Sequence, residues 1–181
     1  MDKINLTVIR ETFGKVVYIH KTHEKAADIC TSKSRWIKRM NVFFLALTSG
    51  SALGAVLKGQ TFLISTSILA TLSLFFVVYQ LSFNFDELGQ RHKITAKKLW
   101  LIREKYLNLI ADIMNDKYNS NEIIEKRDLL LAELNNILEN APITDNKAYS
   151  KARRALKIYE EMTFSNKEID SLLPEELRIE K

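Results

Sequence analysis

The chain has 181 residues, a formal net charge of +5, and only five glycines and two prolines, a composition that favours helices and gives no strand-and-turn rhythm. Its single cysteine, Cys30, excludes an internal disulfide and fits a reducing compartment. The basic excess is gathered beside apolar segments and is not interleaved with aromatic residues, which points to an anionic membrane surface rather than to nucleic acid.

Residues 1–12 carry no strong pattern and are expected to fray. From Phe13 a three-four repeat runs through Val16, His20, His23, Ala27, Cys30 and Ser34 to Ile37, predicting a helix whose weakly apolar seam packs against another helix. His20 and His23 share a face with Glu24 and Asp28 nearby, but no third and fourth ligand follows from the spacing, so they are expected to be seam residues and no metal is expected. Residues 1–39 are too long and too polar for a cleavable leader, which makes the first apolar segment a retained anchor.

Charged residues are absent from residues 40–85 apart from Lys58. Two spans, about 40–57 and 60–84, are each long enough to cross a bilayer core of roughly 30 Å as helices. The only polar break is Lys58-Gly59-Gln60, so the pair predicts a tight transmembrane hairpin. The polar residues within it are mostly Ser and Thr, which a helix in lipid satisfies on its own backbone. Arg35, Lys38 and Arg39 precede the first span, and Arg91, Lys93, Lys97 and Lys98 follow the second. That bias puts both termini in the cytoplasm and the turn between the spans outside.

In the first span Ala46, Gly50 and Gly54 recur every fourth residue, a GxxxG pattern for close helix packing inside the hairpin or between subunits. In the second, Thr66, Ser73 and Gln80 recur every seventh. This stripe reads as pore-facing or as a polar seam between packed helices. Two helices enclose no lumen, so a conducting path needs several copies in a closed ring.

A three-four repeat then continues from Leu81 through Leu88, His92, Leu99 and Tyr106 to Ile113, predicting one helix from the membrane to about Asn115 with Gly89 as the soft point. Asn119 to Glu122 forms a capping pair for a helix reaching about Glu139, with Ile123, Ile124, Leu130, Leu131, Leu134, Ile137 and Leu138 inward. A further helix is expected from about Asp145 to Met162 on a seam of Ala148, Ala152, Ala155, Leu156 and Tyr159. Ser165 to Glu168 caps a short last one, which Pro174 closes or follows with a final turn.

The fold expected is therefore an all-α membrane protein. It comprises an N-terminal cytosolic helix (1–39), a two-helix transmembrane hairpin (40–85) and a C-terminal cytosolic helical region (86–181), assembled as an oligomer. The sequence contains no phosphate-binding glycine loop, HExxH or paired-cysteine motif, so neither an enzyme nor a cofactor is expected.

The arrangement resembles the SLATT family, two-membrane-helix effectors associated with SMODS and SLOG proteins of bacterial conflict systems. The likeness rests on the cytosolic helix, the hairpin, the run RHKITAKKLWLIREKYLNLI from Arg91, and YEEMTFSNKEIDSLLPEELR from Tyr159 to Arg178. It covers residues 13–178 as one SLATT-like domain. The resemblance implies pore formation or membrane disruption in antiphage defence, ending in dormancy or death of the cell. A separately encoded cyclic-nucleotide synthase, sensor or reverse-transcriptase partner would supply the trigger. The family has no catalytic residues to transfer. The alternative is a non-conducting membrane anchor that recruits a cytosolic partner.

Overall fold

The computed structural model describes residues 3–58 and 60–179. Six helices follow in order: α1 (Lys3–Lys58), α2 (Gln60–Ser82), α3 (Phe85–Met114), α4 (Ser120–Glu139), α5 (Asn146–Lys157) and α6 (Asn166–Leu172), with a closing 3-10 turn at Glu175–Leu177. The turn expected around Lys58-Gly59-Gln60 centres on Gly59, which lies outside the described residues.

Both prolines, Pro142 and Pro174, lie beyond α3, so nothing interrupts α1. Its 56 residues make a rod about 84 Å long at 1.5 Å per residue. It begins earlier than the sequence pattern implies, because Leu6 and Ile9 are buried and tie the first turns into the core. The same helix passes without a break through the boundary drawn at residues 39 and 40.

The continuous helix expected from the second span to Asn115 is broken, and not at Gly89. The Phe85 amide turns back to the Phe83 carbonyl at 2.8 Å, and the Asn84 side chain accepts from the Glu87 amide at 3.2 Å, starting α3 afresh. Asp86 and Glu87 then occupy its first turn, where carboxylates oppose the positive end of the helix dipole. Gly89 serves packing instead. A Cβ there would stand 3.2 Å from the Cys30 Cβ, so its bare backbone allows α1 and α3 to approach.

α3 runs antiparallel to α1, bringing Ser34 to Asp86 and His23 to His92. The predicted α1 seam is buried from Val16 to Ile37. It faces an α3 stripe of His92, Thr95, Leu99, Ile102, Tyr106, Leu109 and Ile113. α4 closes the far end with Ile123 and Leu134. Leu130, Ile137 and Leu138 are partly buried there, but Ile124 and Leu131 stay exposed, contrary to expectation, because α4 meets the bundle along one narrow stripe. α5 lays Ala148 against Ala26 and Ile29 of α1.

α5 stops at Lys157, short of Met162. Glu160 and Met162 adopt positive φ of 49° and 78°, an unfavourable conformation for residues with a Cβ, and Tyr159 is left outside the seam, exposed. The capping boxes expected at Asn119 and Ser165 are both present.

Candidate functional site

The upper part of α1 and the whole of α2 are long and apolar enough to cross a membrane, and almost none of their apolar surface is buried within the chain. Such an exposed apolar face needs a covering other than water. Where the two helices face each other, their seam mixes polar side chains with an aromatic stack.

On α2 the inward residues are Thr66, Leu69, Ser73, Phe76 and Gln80, and on α1 they are Asn41, Phe44, Thr48 and Ser51. The predicted stripe of Thr66, Ser73 and Gln80 thus lies along the α1 side of α2. The Thr66 and Ser51 hydroxyls are 2.9 Å apart, and both lie against the Phe62 carbonyl at 2.7 and 3.1 Å. Phe44 stacks on Phe76 with centroids 5.3 Å apart. Ser73, only 4 % exposed, has no hydrogen-bond partner for its Oγ within the chain, and Asn41 Oδ1 is likewise buried and unpaired. Two orphaned acceptors in so short a seam are unusual, since buried polar atoms are nearly always paired. The sequence reasoning missed Asn41, although Asn41 and Thr48 repeat every seventh residue just as the α2 stripe does.

The small-residue stripe of α1 divides. Gly54 packs inside the hairpin, where a Cβ would come within 2.6 Å of the Phe62 ring, whereas a Cβ on Gly50 would meet nothing within 4 Å. Ala46 is exposed as well.

At the inner end of the hairpin, the break after α2 directs Asp86 onto α1. Its carboxylate accepts from Ser34 Oγ and from Lys38 Nζ, both at 2.7 Å. The Lys38 contact, followed by the Ser34 contact, holds the Asp86 carboxyl below its ordinary range. Gln80 lines the small hollow beside this junction with Ser34 and Asn84. Arg35 and Arg39 on α1, and Arg91, Lys93, Lys97 and Lys98 along α3, are exposed.

Deeper in the helical bundle, His23 and His92 meet Nδ1 to Nδ1 at 2.9 Å. Burial and the two neighbouring histidines bring His23 down to about 4. His20 Nδ1 is buried without a partner, and burial lowers this histidine too. Among the described residues no group of three or more His, Cys, Asp or Glu converges to hold a metal. A groove of about 430 Å³ opens between α1 and α3, with Lys21, Lys25, Lys93 and Lys97 on its walls beside Glu24, Asp28 and Trp100. The strained loop after α5 places Glu161 against Lys21 at 2.7 Å and Lys25 at 3.1 Å. Those two lysines hold the Glu161 carboxyl below its ordinary range.

Against known proteins, the family described as SMODS and SLOG-associating 2TM effector domain family 4 matches residues 6–168. Neither a curated protein nor a solved structure matches the chain.

Proposed function

Because the chain belongs to SMODS and SLOG-associating 2TM effector domain family 4, we propose that it is a bacterial inner-membrane effector whose copies assemble into a pore. Both termini lie in the cytoplasm, and the trigger comes from a separately encoded nucleotide-signalling, sensor or reverse-transcriptase partner. Its outcome is dormancy or death of an infected cell. The observation that carries this reading is the polar seam between the spans, with Ser73 Oγ and Asn41 Oδ1 buried and unpaired. In a single hairpin those atoms forgo hydrogen bonds at a cost of about 1–3 kcal/mol each. In a ring of copies, with the Thr66, Ser73 and Gln80 face turned to an aqueous lumen, water satisfies them. The closed hairpin is then the resting form, and assembly relieves its unpaired groups. Ala46 and Gly50, exposed and small, supply the face on which hairpins of neighbouring copies approach.

A non-conducting anchor is the second reading. It is favoured by the mutual satisfaction of Thr66 and Ser51 within one hairpin, which suits a permanently closed pair.

Ion release from anionic liposomes carrying the purified protein and its partner separates the two. Release that falls in Ser73→Leu and Gln80→Leu supports a lumen on this stripe. Silence from the wild-type protein with its partner present supports the anchor, as would retained function after exchange of the hairpin for an unrelated two-span segment.

A further inference from the structure

We propose that the groove at the inner end of the hairpin binds one anionic phospholipid, an inference that rests on the transmembrane reading above. The groove encloses about 510 Å³. Its wall is aromatic and comes from all three long helices: Trp36 from α1, Phe75, Phe76 and Tyr79 from α2, and Phe85 from the first turn of α3. Trp36 meets Phe76 edge-on at 6.0 Å, and Phe75 and Tyr79 stack at 6.3 Å. Ser32 and Lys33 form the polar rim.

Height along the hairpin identifies the occupant. Trp36 stands about 33 Å from the end of α1 at Lys58, at 1.5 Å per residue, and a hydrocarbon core is about 30 Å thick. The groove is therefore level with the headgroups of the inner leaflet, where Trp and Tyr rings are at home. Trp36 remains 57 % exposed, so the wall is open to lipid.

Charge selects the headgroup. Asp86, in the first turn of α3, is already engaged by Lys38 and Ser34. Lys33 Nζ instead lies 5.1 Å from the centre of the Phe85 ring, and among the described residues it has no carboxylate partner. An acyl chain against the rings and a phosphate at Lys33, with the Ser32 hydroxyl as second donor, satisfies both halves of the groove. A zwitterionic headgroup brings its own ammonium, which offsets the attraction to Lys33. An apolar helix of a second copy would bury the rings but leave the rim cation unmatched. The lipid so placed touches α1, α2 and α3 at once, on either side of the break at Phe83 and Asn84.

Trp36 is the reporter once Trp100, the other tryptophan, is changed by Trp100→Phe. The protein is reconstituted in phosphatidylcholine bilayers containing phosphatidylglycerol, with bromine on the acyl chains of one lipid or the other. The expected result is quenching of Trp36 roughly fivefold stronger per brominated phosphatidylglycerol than per brominated phosphatidylcholine, the factor for one lysine at an anionic surface. Lys33→Gln is expected to abolish that preference. Equal quenching by the two lipids, or a preference that survives Lys33→Gln, overturns the site while leaving the hairpin in the membrane. Absence of quenching by either lipid also overturns it. A variant with Trp36→Phe, Trp100→Phe and Ile68→Trp then reads the outer face of α2. Quenching there means that another chain covers the groove, and none there means that the membrane reading itself fails.

Discussion

His23 on α1 and His92 on α3 hold the two helices together through a contact of 2.9 Å between their Nδ1 atoms. One ring must donate and the other accept, so the pair exists only while at least one Nδ1 is unprotonated. Both histidines are lowered, each first by burial, and an unfolded histidine titrates near 6.5.

The sign of the pH dependence follows. Between about pH 6.5 and about 4 the unfolded chain binds protons that the folded His23 refuses. Stability is therefore full above about 6.5 and declines as the pH falls toward 4, with His23 itself accounting for at most about 3 kcal/mol and the lowered His20 and His92 acting in the same direction. Thermal unfolding of the protein in detergent across this range checks it. His23→Asn, which offers an amide near the Nδ1 position but does not titrate, should make the profile shallower by the His23 share.

Substitutions at Gly54 and Gly50 should diverge. A Cβ on Gly54 runs into Phe62, whose ring must turn outward, so Gly54→Leu should weaken the hairpin by about 1–3 kcal/mol. Gly50→Ala meets open space and should leave the hairpin unchanged or stabilise it by up to about 1 kcal/mol through helix propensity. Denaturation from a mild detergent into dodecyl sulfate measures both. Chemical cross-linking of Gly50→Leu reads the other role proposed for this position, and fewer cross-linked copies with an intact hairpin would support packing between chains.

Asn84→Ala removes the acceptor for the Glu87 amide at a cost of about 1 kcal/mol to the α3 start. Alanine also favours helix at the break, so α2 and α3 should tend to fuse into one rod. Spin labels at the exposed Leu74 and Lys98 should move apart by several ångströms in the variant. An unchanged distance would mean that the Asp86 contacts to Ser34 and Lys38, rather than the cap, maintain the bend.

The α1 and α3 seams were legible because each repeats at helical spacing and each is buried by the other. The hairpin was legible because charge disappears over a length that fits a bilayer. The break between α2 and α3 was hidden by an uninterrupted three-four repeat. Its signal was present, however, since Asn84 to Glu87 has the same Asn-x-x-Glu pattern as the cap recognised at Asn119. Hydrophobic periodicity reports which face is buried, not whether the backbone continues. The direction of the Thr66, Ser73 and Gln80 stripe depends on what stands opposite, and a heptad in one helix cannot specify its partner. The meeting of Glu161 with Lys21 and Lys25 had no signal in the sequence, because it depends on a left-handed loop that no local pattern announces.

The two limbs of the hairpin differ mechanically. α1 is an unjointed shaft from the helical bundle to the far end of the hairpin, whereas the return limb has an elbow at Phe83 and Asn84. A force that swings the bundle is carried along α1 undiminished but is partly absorbed at the elbow of the other limb. The limbs must then slide past each other instead of tilting together. Sliding of that kind would separate Thr66 from Ser51 and unstack Phe44 from Phe76. A partner gripping only the helical bundle would thereby have leverage over the seam without touching it.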